Sequence, residues 1–180
     1  MPSIFAISDT WFNRLMVDDP NENVVDNNEH MIQVWNETVS PEDKVYVLGG
    51  FGICDLYNII VRLNGEIHLL NNYFNVDEIS YMSDLKDAVK KSSDPNFKDR
   101  IIFEENQIVV LPEEDVVLSY LPLEDWPGRS TGTYCFHGMN DTMDLLNHYI
   151  SCTSEKWDCV PTDILSVQKN INSVDNFLES

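Results

Sequence analysis

The sequence predicts an α/β sandwich, two β-sheets packed together with helices outside. Three observations carry this. Strands and helices alternate through the first half of the chain, and strands follow one another through the second. The run Val45-Tyr46-Val47-Leu48 after Lys44 is apolar without polar alternation, which suits a strand buried on both faces. It ends on Gly49, Gly50 and Gly52, which let another segment or a ligand approach the backbone closely. In an open α/β sheet the site lies beyond the carboxyl ends of the strands. This stretch therefore aims at the functional crevice. It delivers Gly50 and Phe51 there, and neither a carboxylate nor a histidine.

Taken in order, Ile4-Phe5-Ala6-Ile7 within 3–8 reads as a first strand ending at Asp9-Thr10-Trp11. A polar loop follows over 13–25. Asn27 or Asn28 is placed to cap a helix with Met31, Val34 and Trp35 on one face. Ser40-Pro41-Glu42-Asp43 is a turn into the central strand. Leu56, Ile59, Ile60 and Leu63 have helical spacing, and Asn64-Gly65 ends that helix. Glu66 to Leu70 is a third strand. Ile79 to Lys91 is a weaker helix through Met82, Leu85 and Val89, broken at Ser92-Ser93-Asp94-Pro95. Segments 100–103 and 107–111 read as a hairpin around Glu105-Asn106. Strands follow at 116–120, 133–136 and 149–153. Pro161-Thr162-Asp163 opens a last amphipathic helix through Ile164, Val167 and Ile171. No repeat, linker or low-complexity segment interrupts residues 1–180, so a single domain is expected.

Apolar residues make up 43% of the 180, enough for a folded core and too many for disorder. No apolar run reaches membrane-spanning length, and Met1-Pro2-Ser3 carries no basic segment of a signal peptide. Cys54, Cys135, Cys152 and Cys159 form no C-x-x-C pair, and they read as buried thiols in a reducing cytosol. A cytoplasmic protein is expected. Thirty-one acids against eleven bases give a formal net charge of −20. That charge aids solubility. It also repels nucleic acid, and it favours a protein partner with a basic surface; no membrane partner is expected. The acids are spread over the chain in clusters: 18–29, Glu42-Asp43, 77–87, Glu104-Glu105, Glu113-Glu114-Asp115 and Glu124-Asp125.

At this point the order of segments resembles a known family. Ser8-Asp9-Thr10-Trp11-Phe12 resembles the S-D-T-H-F opening of the calcineurin-like metallophosphoesterases. Val34-Trp35-Asn36 with Val39 to Phe51 is similar to their W-N-x-x-V-x-x-x-D-x-V-Y-x-L-G-D-F run. Leu63-Asn64-Gly65 to Asn72-Tyr73-Phe74 is similar to L-x-G…G-N-H-D. Leu118-Ser119-Tyr120-Leu121-Pro122 resembles L-S-H-x-P, and Phe136-His137-Gly138-Met139-Asn140-Asp141 resembles L-H-G-H-x-H. The resemblance covers nearly the whole chain, in register, and is nearest the small single-domain form of bacteria and their phages. It implies a sandwich of two sheets flanked by helices.

The chemistry of that family uses two metal ions that activate a water and stabilise phosphate oxygens. Hard oxygen and imidazole ligands must then stand at fixed positions. The resemblance places Trp11 at the first ligand histidine and Gly50 at the bridging aspartate. Tyr73 and Phe74 follow Asn72 where histidine and aspartate would stand. Tyr120 occupies the next histidine position, and Met139 and Asp141 the last two. Asp9 and Asn72 persist, Asp141 is a candidate substitute, and His137 matches the histidine that is not usually a ligand. Read from the residues alone, Asp9 and Asn72 also suit turns, and His137 suits a hydrogen-bonded core position.

Three functional expectations follow. The first is a catalytically inactive relative, without metal or other cofactor, that serves as an acidic protein-binding module. In the setting the resemblance suggests, it is a phage-encoded inhibitor of a host nucleic-acid-binding or defence protein, acting in the host cytoplasm. Its carboxylates would act as a nucleic-acid mimic or would only steer encounter. The second is a residual phosphoesterase with a site rebuilt from Asp9, Asn72, His137 and Asp141. The third is a nucleotide binder that stacks a base among Trp11, Phe51, Tyr73 and Phe74.

Overall fold

Short runs rich in Val, Ile and aromatic residues form the strands. Apolar residues at helical spacing form the helices that cover them. The computed structural model of the protein describes residues 2–14, 24–71, 76–139, 149–152 and 159–178. In chain order the elements are β1 (Ile4–Ile7), α1 (Val24–Thr38), β2 (Lys44–Val47), α2 (Tyr57–Ile60) and β3 (Glu66–Leu69). Next come α3 (Val76–Lys91), α4 (Pro95–Lys98), β4 (Ile101–Phe103), β5 (Ile108–Leu111) and β6 (Val116–Ser119). The chain continues with β7 (Tyr134–His137), β8 (Tyr149–Ser151), β9 (Thr162–Asp163) and α5 (Ile164–Leu178).

The strands form two mixed sheets. The first has the order β4-β3-β2-β1-β9, parallel except for β9. The second has the order β5-β6-β7-β8, parallel except for β5. One face of the first sheet, with Phe5, Ile7, Val45, Val47, Ile67 and Leu69, packs on α1, α2 and α3 through Trp35, Ile60 and Met82. Its other face presents Ala6, Tyr46, Leu48 and Leu70 to Leu118, Phe136 and Ile150 of the second sheet, and Ile164 of α5 joins them. The central strand is thus buried on both sides, and its lack of polar alternation follows from that. The outer face of the second sheet is covered differently. A loop lays Leu123 and Trp126 over Val117 and Cys135, with the Trp126 indole donating to the Thr133 carbonyl at 2.8 Å.

Several sequence expectations need correction. The hairpin over 100–103 and 107–111 does not form. β4 pairs in parallel with β3, and β5 crosses to the other sheet and pairs with β6. The tight turn is Pro112 to Asp115, where Asp115 takes φ +55. Neither Asn27 nor Asn28 caps α1, which begins earlier, at Val24. Asn28 is buried and exchanges hydrogen bonds with Asn13, whose amide N–H it accepts at 3.0 Å and whose side-chain oxygen it meets at 2.7 Å. Pro95, read as a breaker, is also a helix start: Asp94 caps α4 by accepting the Asn96 N–H. β9 was not expected at all. The helix that contains Leu56 to Leu63 is regular over Tyr57–Ile60 only and ends before Gly65, which needs φ +86.

Candidate functional site

The crevice begins with two loops that run side by side. Past β1, the N–H groups of Asp9, Trp11 and Phe12 donate to the carbonyls of Gly49, Gly50 and Phe51 at 2.9, 2.8 and 3.0 Å. Thr10 Oγ1 adds a bond to the Phe51 carbonyl at 2.8 Å. This ladder requires an unusual backbone. Asp9, Trp11 and Asn13 all take positive φ, at 59°, 47° and 65°. Asp and Asn tolerate that region, but a bulky residue there is strained. Trp11 is held by its own N–H bond to Gly50, by its carbonyl accepting from Arg14 N at 3.0 Å, and by the Arg14 guanidinium 4.5 Å from its ring.

Gly50 sits at φ +53 between these loops. A Cβ added there would lie 2.5 Å from Asp9 Oδ1 and 2.9 Å from both the Asp9 Cα and the Trp11 ring. The position therefore has room for no side chain. The second sheet closes the other wall. A Cβ on Gly49 would fall 2.3 Å from the Tyr120 ring, and one on Gly138 would fall 2.8 Å from the same ring and 2.5 Å from Ser8 Oγ. The ring thus lies in a slot that two glycines leave open. These contacts also show that the carboxyl ends of β1, β2, β6 and β7 converge at one end of the sandwich.

Of the residues that the sequence singled out, Asp9, Trp11, Gly50 and Tyr120 meet around this point. Met139 lies at the rim, 41% exposed, its N–H donating to the Tyr120 carbonyl at 2.9 Å. His137 is fully buried on β7, in register with Ser119 of β6 and Ser151 of β8, which are also buried. It belongs to a polar row across the second sheet. Asn72, Tyr73, Phe74 and Asp141 lie outside the described residues. Trp11 and Phe51 line one small apolar cavity with Val47, Leu69 and Met82. Its volume is about 20 Å³, which is room for about one water. Phe51 turns from it to meet Phe12 edge-on, with ring centroids 5.5 Å apart.

The described residues do not fit a two-metal centre. Among them, no group of three or more His, Cys, Asp or Glu side chains could hold a metal ion. At Gly50 the neighbouring atoms, the Asp9 carboxylate and backbone and the Trp11 indole, leave no room for a further carboxylate, and the Tyr120 ring lies against the adjoining Gly49.

Sequence reasoning missed a second polar cluster, on β3 of the first sheet. His68 on β3 is buried between two carboxylates, its Nδ1 2.7 Å from Glu104 and its Nε2 2.9 Å from Glu66. Its ring stacks on Tyr46 with centroids 4.4 Å apart. Burial, and then the charges of Glu104, Glu114 and Glu66, push the Tyr46 hydroxyl up to about 12. The alternation Glu66-x-His68 was the available signal, since it puts both residues on one face of a strand.

No protein-family model matches the chain, and no curated protein does. Among solved structures, it is similar to the crystal structure of the protein of unknown function AQ665 from Aquifex aeolicus. The TM-score is 0.55 at 20% identity, over 94% of this chain and 99% of that one. That likeness speaks to the fold alone.

Proposed function

We propose that the chain is a metallophosphoesterase-like sandwich that has lost its metal chemistry and serves as an acidic protein-binding module for a partner with a basic surface. The observation that carries this reading is the closed position at Gly50. The fold supplies converging strand ends, where a reacting group would be held. The sequence fills them with Trp11 and Tyr120, and Asp9 and Trp11 leave no space for a bridging carboxylate. Apolar filling of a once-polar site is not costly to the fold, because buried unpaired charges are. Retention of the fold without the ligand set points to a role in recognition. The net charge of −20 gives that recognition a sign.

The test is hydrolysis of bis-p-nitrophenyl phosphate with added manganese, together with metal analysis of the purified protein. The expected result is no turnover above buffer and no stoichiometric metal. Turnover that disappears in an Asp9→Ala variant, with two metals bound per chain, would overturn the proposal.

A further inference from the structure

β5 is apolar on both faces, and the fold accounts for one. Val109 and Leu111 turn inward and pack on the core between the sheets. Ile108 and Val110 face outward and are 41% and 46% exposed. Their register partners on β6, Ser119 and Val117, are buried, Val117 beneath Trp126. The cover that protects β6 therefore stops short of β5. β5 is also the last strand of its sheet, and among the described residues it pairs with β6 alone. Soluble proteins commonly blunt such an edge with a lysine, a bulge or an inward charge. The segment Ile108-Val109-Val110-Leu111 has no charged residue. Acid stands at both ends instead: Glu104 and Glu105 before it, Glu113, Glu114 and Asp115 after it, with no Lys or Arg from 104 to 115.

We infer that β5 is a docking edge for an extended cationic segment of a partner protein, which adds as a strand beside it and sets lysine or arginine against the two acidic turns. This rests on the protein-binding reading above and names its site. Charge selects the occupant. Two copies of β5 paired antiparallel would bring Glu104 and Glu105 of one against Glu113, Glu114 and Asp115 of the other. Paired in parallel, they would set each acidic turn against itself. Like charges placed opposite one another oppose both arrangements. A cationic strand instead gains main-chain hydrogen bonds and covers Ile108 and Val110. It also meets the exposed carboxylates of Glu105, Glu113 and Asp115. Glu104 is already engaged by His68.

The experiment uses the full chain and two synthetic peptides, Lys-Lys-Thr-Val-Thr-Val-Thr-Lys-Lys and the same peptide with glutamate for lysine. Binding is followed by fluorescence anisotropy, and its location by amide hydrogen exchange. The expected result is binding of the lysine peptide with protection of the amides of Ile108–Leu111. Val110→Lys and Ile108→Lys, both at exposed positions, should each weaken it by about tenfold or more with an unchanged circular dichroism spectrum. Equal binding of the glutamate peptide would overturn the charge selection. Protection that grows with protein concentration and no peptide would make a second copy the occupant and overturn the inference. Binding of the lysine peptide with protection elsewhere would sink the β5 site and leave the protein-binding reading standing. Failure of the lysine peptide and of polylysine to bind even at low salt would sink both.

Discussion

Replacing Gly50 by alanine is the sharpest probe of the closed crevice, because the structure supplies its own control. Gly132 also has positive φ, at +97°, but a Cβ there would meet nothing within 4 Å. Alanine at Gly132 therefore carries the backbone cost alone, about 1–2 kcal/mol for an L-residue in the left-handed region. Alanine at Gly50, where φ +53 lies inside the left-handed well, carries no more than that cost but adds a clash with Asp9 Oδ1 at 2.5 Å and with the Asp9 Cα at 2.9 Å. The second contact is backbone, so it is not relieved by rotating a side chain. Overpacking of this kind costs about 1–3 kcal/mol. The change in unfolded-chain entropy is the same in both variants and cancels between them. With a urea m-value of about 2 kcal/mol/M, the midpoint of Gly50→Ala should lie below that of Gly132→Ala, by at most about 1.5 M because φ +97 makes the backbone cost at Gly132 the larger. Gly50→Asp, which restores the carboxylate that the resemblance would place there, should fall lower still, because a second negative charge then crowds Asp9. It should gain no phosphodiesterase activity with manganese. Equal midpoints for the two alanine variants would refute the reasoning, since the Asp9 and Trp11 loop would then yield freely and the crevice would not be closed.

Alkaline pH should destabilise the fold. Burial pushes both the Tyr46 hydroxyl and the Cys135 thiol up to about 12, so the folded state holds these protons more tightly than the unfolded chain. Their contribution is complete below about pH 9 and is lost as pH rises toward 12, and Tyr46→Phe should remove roughly 2–3 kcal/mol of that loss, read from thermal unfolding at successive pH. The expectation of buried thiols holds for Cys135 and Cys152 but not for Cys54, which is exposed, so iodoacetamide at pH 8 should label Cys54 and spare Cys135 until denaturant is added, as peptide mass mapping would show. The buried Asp43 carboxylate accepts Ser3 N–H at 2.7 Å and Ser40 N–H at 2.8 Å, joining the start of β1 to the turn before β2. Asp43→Ala should cost about 1–3 kcal/mol in urea unfolding, and Asp43→Asn less, because an amide oxygen can still accept one of the bonds.

Much of this was legible in the chain because apolar patterning reports burial directly. Val45 to Leu48 read as doubly buried, and the strand lies between a helix layer and the second sheet. Met82, Leu85 and Val89 read as one helix face and are buried together. Asp9, Trp11, Gly50 and Tyr120, singled out together in the sequence, meet at one end of the sandwich. The failures share a cause, which is that local signals do not say which sheet a strand joins. Segments 101–103 and 108–111 are near in sequence and both apolar, so they resemble a hairpin, but each finds a longer-range partner, β3 or β6. Asn28 has the chemistry of a cap, and only the fold shows Asn13 beside it. The Glu66–His68–Glu104 cluster joins residues 38 apart in number, across neighbouring strands, and no spacing rule reaches that far.

The surface around the strand ends also bears on which reading the molecule favours. A nucleotide stacked on Trp11 would need a slot the size of a base. The cavity beside that ring holds about 20 Å³, and Arg14 stands over the indole. Among the described residues, six large apolar side chains are exposed: Tyr57, Ile79, Ile108, Val110, Leu121 and Met139. Four of them belong to β5 or to the turns that follow β6 and β7. Ile108 stands opposite Ser119 at the end of β6, Leu121 follows Tyr120, and Met139 follows Gly138. A hydrolytic site would need this rim wet and polar, to admit a phosphate and a water. Among the described residues, those exposed at this rim, Ile108, Leu121 and Met139, are apolar, and Tyr120 and Trp11 fill the space beneath them. The exposed apolar residues at the end and edge of the second sheet fit the use proposed above, contact with another protein.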